Sequence, residues 1–505
     1  MRTAPLLWLV FLAGVGSMAI EMCASRLLAP FYGSSTIVWA NIIGLVLASL
    51  SLGYWLGGRI ADRRPRARVL GFIVLAAGVV TAIVPFAARP LLSLSVRALD
   101  TVSAGAIIGS LLGSLFLFVP PVVLLGMVTP FAIRLSVPTV QDAGRTAGRI
   151  FALSTVGSLL GTFLPAIVFI PLVGTQRTLL GAAALVGLAA AILLGWRWLI
   201  VGIVVAGLLL IPPGVVKPTP GLVFEEESQY QFVQVAERDG KRYLYLNEGQ
   251  AVHSKWVEGS VFTGGVWDVF LTLPALMGRV PERVAILGSA GGTVARAYGR
   301  LFPTVRIDGV EIDGTVSKAG RLFLGLDENP NLRVITADAR PFLRSTGGRY
   351  DVIMADAYHQ PYVPFYLATR EFFALTRQRL RPGGIVALNV TTVPGDDSLV
   401  RAIAGTLATE YPQVVAWPAL RFNTLVVGFQ ESVSLAELRG RLLAAQGQVA
   451  PLTRLFARDM RRVQPIDEPW TDDRAPVEWV TDRMIVAYGA AGGTAGSEQL
   501  LPTAP

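Results

Sequence analysis

Three carboxylates carry the first chemical signal in the chain. Glu311, Asp338 and Asp356 each close a short apolar run, in VRIDGVEID, LRVITADAR and YDVIMADAYHQP. Runs of this length, rich in Val and Ile, are the pattern of strands buried in a parallel sheet, so the three acids are expected at one carboxyl edge, where open α/β sheets bind ligands. A fourth run, VAILGSAGG after Arg283, enters a turn at Gly288 and Gly291 and leads to the helical segment TVARAYGRLF. Strand, glycine turn, helix, strand is the order of a nucleotide-binding unit, whose backbone approaches the ligand where side chains are absent. Glu311, ending the second strand, can accept both hydroxyl hydrogens of a ribose. The competing role for Asp338 and Asp356 is to cap the helix that follows. The loop after Asp356 carries Tyr358, His359, Tyr362, Pro364 and Tyr366, a composition suited to a substrate pocket.

These strands need a sheet, and the sheet occupies only part of the chain. Of 505 residues, 16% are charged, against ~25% in an average soluble protein. The deficit lies before residue 217, where long apolar runs succeed one another. The expected division is a transmembrane helical domain over 1–216, a small β-hairpin element over 217–262, a Rossmann-like domain over 263–488 and an unstructured tail over 489–505. The fold class is thus an α-helical transmembrane bundle followed by an α/β, class I methyltransferase-like domain. GGIVALNV, QVVAWPAL and NTLVVGFQ extend its sheet to seven strands. In front of it, FVQVAERDGKRYLYLNEG reads as two strands joined at Asp239-Gly240, a common hairpin turn.

A helix crossing about 30 Å of hydrocarbon needs roughly 20 apolar residues. Such stretches occur near 5–27, 36–57, 69–90, 106–133, 150–173 and 177–195, with a short seventh at 198–213. The first is too long for a signal peptide and lacks a small-residue cleavage site, so it is expected to stay in the mature protein. The net charge of +9 does not point to nucleic acid, because much of it sits in short turns such as Arg59, Arg63, Arg64, Arg66 and Arg68, the pattern of cytoplasmic loops. That cluster shares a side with Arg145 and Arg149 if the N-terminus is cytoplasmic. The expectation is a multi-pass cell-membrane protein with lipid around its helices and its globular half in the cytoplasm, which requires that 198–213 not cross. Glu21 and Arg26, in or at the end of the first stretch, read either as a site for a cationic solute or as an interhelical ion pair. The single cysteine, Cys23, excludes an intramolecular disulfide and any zinc site built from several cysteines.

Taken together these residues resemble the spermidine synthase (polyamine aminopropyltransferase) family, in its membrane-fused branch with an N-terminal major-facilitator-like half. The likeness runs from EMCASRLLAPFYG to TDDRAPVEW, and GYWLGGRIADRR is similar to a basic loop of facilitator transporters. By that resemblance Gln231, Glu311 and the turn at Gly288 and Gly291 hold the thioadenosine part of the cosubstrate, Asp338 and Ala339 meet the adenine edge, and Pro364 lines the adenine pocket. Asp356 is then the proton acceptor. The family pattern breaks at Gly291 and His359, where substrate-binding aspartates are usual. Trp267 stands near the place of a tyrosine-histidine pair facing the polyamine, a space His253 could reach instead.

The resemblance implies a reaction without a metal. Decarboxylated S-adenosylmethionine gives its aminopropyl group to a small amine such as putrescine, and methylthioadenosine leaves. An alkylammonium with a pKa of about 10 has no lone pair at neutral pH, so a carboxylate beside it must bind it and take its proton. Two rivals stay open: a methyltransferase using intact S-adenosylmethionine, and a non-catalytic polyamine sensor or transporter. The resemblance also implies a homo-oligomer.

Overall fold

The computed structural model describes residues 3–33, 35–99, 105–137, 140–214, 216–247, 251–359 and 361–492. The chain forms two compact units: a helical one of Met1–Pro218 with Glu227–Phe232 and Asn247–Gly249, and a globular one of Thr219–Glu226, Val233–Leu246 and Gln250–Pro505.

Among the described residues of the helical unit, six helices are long and apolar enough to cross a bilayer by length and composition: Ala4–Tyr32, Thr36–Arg63, Ala67–Val96, Val119–Ser136, Ala143–Val173 and Thr175–Leu194. The unbroken stretch expected over 106–133 is corrected. Helices Gly105–Leu117, Val119–Gly126 and Val128–Ser136 succeed one another there. Pro120, Pro121 and Pro130 lack the N–H that a helix interior uses, and each falls in the first turn of one of these short helices. Glycine sets how closely the helices approach. A Cβ at Gly53 would lie 2.4 Å from the Val123 carbonyl oxygen and one at Gly57 2.6 Å from Met127 Cα, whereas Gly58 has nothing within 4 Å. Two of the three glycines in GYWLGGR are therefore helix contact surfaces.

The expected hairpin is the centre of a four-stranded sheet, in the order β1 (Leu222–Glu227), β2 (Phe232–Arg238), β3 (Lys241–Leu246), β4 (Val252–Val257). Arg238 pairs with Lys241 across the two-residue turn. Its residues Asp239 and Gly240 have φ of 51° and 67°, the left-handed pair that matches strand twist. The sheet buries Val233, Val235, Leu244 and Leu246 against Val316, Ala319 and Leu324.

The main sheet has eight strands: β5 (Arg283–Leu287), β6 (Arg306–Glu311), β7 (Leu332–Thr336), β8 (Tyr350–Ala355), β9 (Leu380–Thr391), β10 (Gln413–Leu420), β11 (Asn423–Phe429) and β12 (Arg461–Val463). Their order is β12-β10-β11-β9-β8-β5-β6-β7. Strands β5 to β9 are parallel, and β11, β10 and β12 are added antiparallel. This is a Rossmann-like, methyltransferase-type mixed sheet, with β12 the strand beyond the seven expected. Alternate residues serve opposite cores: Ala285 and Leu287 pack with Phe342 and Phe372, while Val284 and Ile286 pack with Phe270 and Trp417. Burial on both faces explains why these strands read as continuous apolar runs. The last helix, Val477–Ala490, takes in Gly489 and Ala490, so the start of the expected tail is corrected to helix; residues 493–505 lie outside the described residues.

Candidate active site

Strand order reverses between β5 and β8, which makes their carboxyl ends the switch point of the sheet. Backbone leaving β5 here has φ of 81° at Gly288, 45° at Ala290 and 87° at Gly292. A Cβ at Gly288 would lie 2.5 Å from the Asp356 carbonyl oxygen, so only glycine lets this turn rest against the end of β8. The Asp356 N–H donates to the Leu287 carbonyl at 2.9 Å. A small cleft opens beside it, walled by Trp267, Gly288, Ser289, Met354 and Asp356 among others. Trp267 and Asp356 thus share one cavity with the glycine turn.

Register explains the next contact. Ala355 pairs with Leu388, so Asp356 and Asn389 are each one residue further out, and Asn389 Nδ2 donates to Asp356 Oδ1 at 2.9 Å. The orientation of that amide is fixed, because its Oδ1 accepts from Asn423 Nδ2 at 3.0 Å. The Tyr358 hydroxyl donates to the Asn389 carbonyl at 2.9 Å. Sequence reasoning missed Asn389, although one amide in the apolar strand GGIVALNV was a readable sign of a polar partner at the sheet edge.

Glu311 closes β6 and is buried. Its Oε2 accepts the N–H of Ala290 in the glycine turn at 2.9 Å, and its Oε1 the N–H of Asp313 at 3.1 Å. Burial pushes the carboxyl up to about 7, against the opposing pull of those amides. A carboxylate so placed keeps lone pairs for further donors.

Asp338 does cap the helix after it, as its competing role required: Oδ1 accepts from the Arg340 N–H at 3.0 Å. Its other oxygen accepts the Tyr366 hydroxyl at 3.0 Å, which ties it to the loop of Pro364. Burial, with the charge of Asp338, pushes the Tyr366 phenol up. Buried Arg340, next to the buried Ala339, donates to the Tyr366 carbonyl at 3.1 Å and grips Asp472 with two bonds of 2.7 and 2.6 Å. The Thr369 hydroxyl donates to the same Asp472 at 2.8 Å. Tyr366, Arg340 and Asp472 complete this wall, and their pairing spans too much sequence for any local pattern to announce it.

The remaining candidates divide. A Cβ at Gly291 would meet Leu324 Cδ1 at 2.3 Å and Ser254 Cβ at 3.0 Å, and its N–H donates to Ser254 Oγ at 2.8 Å. The Nε2 of His253 is shut off from water with no hydrogen-bond partner among the described residues. Burial, then the charge of His359, pushes its imidazole down to about 4, so it is neutral at pH 7. His359 exchanges backbone hydrogen bonds with Tyr362 at 2.8 and 3.1 Å, and the Tyr362 hydroxyl donates to Asp482 at 2.6 Å. Gln231 belongs to the helical unit, where its N–H donates to Ser228 Oγ at 3.0 Å. Among the described residues no three metal-ligating side chains gather.

Comparison with known proteins bears on this half of the chain. Residues 269–415 match the family model of the spermine/spermidine synthase domain. The chain is 33% identical over 217 residues to a probable polyamine aminopropyl transferase of Bifidobacterium longum, covering 41% of this chain and 48% of that one. It is also 33% identical over 175 residues to a polyamine aminopropyltransferase of Vibrio vulnificus, covering 33% and 58% respectively. It therefore spans about half the length of these curated relatives. A crystal structure of a probable spermidine synthase from Corynebacterium glutamicum aligns with 52% of this chain and 100% of its own, at 20% identity and a TM-score of 0.38. Through residues 269–415 of its globular half, the chain is similar to the spermine/spermidine synthase family.

Proposed function

We propose that the globular half is a polyamine aminopropyltransferase, carried on a membrane-embedded, facilitator-like helical half. It moves the aminopropyl group of decarboxylated S-adenosylmethionine to a small amine of the putrescine class. The observation that carries this reading is the pairing of Asp356 with the glycine turn at the switch point, with Glu311 bonded to the same turn. In the proposed reaction the amine nitrogen attacks the carbon bonded to the sulfonium, a C–N bond forms as the C–S bond breaks, and methylthioadenosine leaves as a neutral thioether. Asp356 takes the ammonium proton, and Asn389, itself held by Asn423, keeps one carboxylate oxygen oriented. The sulfonium activates the carbon, so alignment supplies much of the acceleration.

The methyltransferase alternative draws on Gly291, whose missing side chain could make room for the carboxylate of intact S-adenosylmethionine. That room is taken by Leu324 Cδ1, which favours the decarboxylated cosubstrate. Purified protein given putrescine and decarboxylated S-adenosylmethionine is expected to release methylthioadenosine, and Asp356→Asn to lose at least ~100-fold of the rate. Full turnover in that variant would remove Asp356 from its role. Methylation of any amine in a panel tested with S-adenosylmethionine would transfer the assignment to the rival.

A further inference from the structure

We infer that the chain leaves the helical unit on the membrane face opposite the arginine-rich turns, so that the sequence beyond residue 218 enters the extracytoplasmic compartment. The inference rests on reading the six long helices as membrane-spanning, and uses contacts inside the helical unit alone.

The short helix Trp196–Leu210 decides the matter, because charge and length alone leave its crossing open. Contacts follow it along the helix Ala67–Val96. At the start, a Cβ on Gly71 would lie 2.7 Å from Leu194 Cγ, and the rings of Phe72 and Trp198 meet at 5.1 Å. One level further, Gly78 abuts Gly187, and Gly187 abuts Gly202, with constructed Cβ distances of 2.8 and 3.5 Å. At the far level Arg89 Nη2 donates to the Gly214 carbonyl. The chain from 198 to 214 therefore travels in the same direction as the chain from 72 to 89. That part of the long helix is about 26 Å at roughly 1.5 Å per residue, close to the ~30 Å of a hydrocarbon core. The short helix supplies about 22 Å, and the extended residues after Leu210, at ~3.3 Å each, supply the rest.

A second set of contacts, on the segment Glu227–Phe232, reaches the same end of the bundle. Arg26, near the end of the first helix, donates to the carbonyls of Ser228 and Gln229. Thr175, opening the sixth, donates to Glu227 from its hydroxyl at 2.5 Å and from its N–H at 3.2 Å. Tyr32 and Ser95 join the ends of the first and third helices at this level. The chain after Leu210 and the segment Glu227–Phe232 thus meet the helices at one face.

The arginines mark the other face. Arg59 and Arg63 end the second helix, Arg64 and Arg66 lie in the turn after it, and Arg68 opens the third; Arg134 is paired with Asp62 at 3.0 Å, Arg145 and Arg149 open the fifth, and Arg197 follows the sixth. On the exit face Arg26, the pair Arg89 and Arg97, and Arg177 belong to three helices, and Arg26 and Arg89 are engaged with carbonyls of the exiting chain. The positive-inside rule makes the crowded face cytoplasmic. A site carried beyond residue 218 draws its amine and nucleoside from the opposite compartment, so a step that moves a charged nucleoside across the bilayer must precede the reaction there.

Cys23, the single native cysteine, is buried, which leaves a quiet background for labelling the full-length protein. Ser432→Cys and Gln446→Cys introduce thiols at exposed positions of the globular unit, and Gln141→Cys does so before the fifth helix. A membrane-impermeant maleimide applied to spheroplasts is expected to label 432 and 446 at once, and 141 only after permeabilisation. Labelling of 432 and 446 only after permeabilisation, or of 141 before it, would overturn the assignment. The result does not depend on turnover, so it separates from failure of the aminopropyl-transfer assay.

Discussion

The two ends of strand β6 hold carboxylates in opposite conditions. At its amino end Asp308 accepts Arg283 and the Tyr350 hydroxyl on one oxygen, at 2.9 and 2.8 Å, and Arg333 on the other at 2.8 Å. Burial works to raise its pKa, but these partners outweigh it and hold the carboxyl below its ordinary value. Asp351, opening β8, is treated alike: burial is outweighed by Arg279 and by the N–H groups of Arg283 and Glu282. At the carboxyl end, Glu311 accepts the backbone amides of Ala290 and Asp313 and has no ion-pair partner among the described residues, and burial wins. An acid with its cations already beside it is finished as structure. An acid buried without one is prepared for donors it does not yet have, the condition under which perturbed carboxylates mark functional sites.

The contrast is broken first at Glu311. Glu311→Gln keeps the shape but loses a charged acceptor worth about 1.5–3 kcal/mol, so the cosubstrate KM should rise by roughly 10- to 100-fold with kcat less affected. In the unaltered protein the KM should fall as pH climbs through about 7, because the ionised carboxylate is the better acceptor of ribose hydroxyls, and the Gln variant should lose that dependence. Stability should move oppositely. A folded pKa raised by burial contributes stability that is present below pH 4.5 and lost as pH rises towards 7. Denaturant titrations across that window should slope downward in the native protein and less in the variant. A pH-independent KM in the native protein would remove the ribose role.

The amino end sharpens the contrast. Asp308→Asn should cost on the order of 2 kcal/mol, less than a fully buried pair, because Arg283 and Arg333 are partly in water and can be rehydrated. Its folded pKa is lowered, so its contribution is present above pH 3.8 and lost as pH falls below it. Chemical denaturation reads the loss, and kcat/KM per folded molecule should stay unchanged. A specific loss of activity would mean that the two ends are not separable.

Much of this was legible because parallel strands buried on both faces print themselves as apolar runs, and acids at their ends stand out against them. Glu311, Asp338, Asp356 and the turn at Gly288 were readable on that account. The break at Pro120-Pro121 is also present in the sequence, but apolar content alone runs through it. Strand β12 is three residues, two of them arginine, and has no periodicity to detect. Arg340 and Asp472 pair through tertiary structure across 132 positions, which no window encloses. The direction of residues 198–213 is set by side contacts along another helix, and charge counting does not contain it.

The smallest expected effect tests whether the wall beside Glu311 is positioned or merely present. Tyr366 links Asp338 to Arg340, and Arg340 is held by Asp472, whose carboxyl is kept below its ordinary value by the guanidinium. Tyr366→Phe removes one hydrogen bond to a half-buried carboxylate, about 0.5–1.5 kcal/mol, a two- to twelvefold rise in cosubstrate KM. Asp472→Asn should act in the same direction through the freed arginine, and Asp472→Glu should restore part of the loss if the pairing is what counts. Because these residues form one chain of contacts, the Tyr366→Phe, Asp472→Asn double variant should fall short of the sum of the singles. Additive effects, or losses confined to kcat, would show that this wall does not hold the nucleoside and would leave Glu311 alone on that side of the sheet.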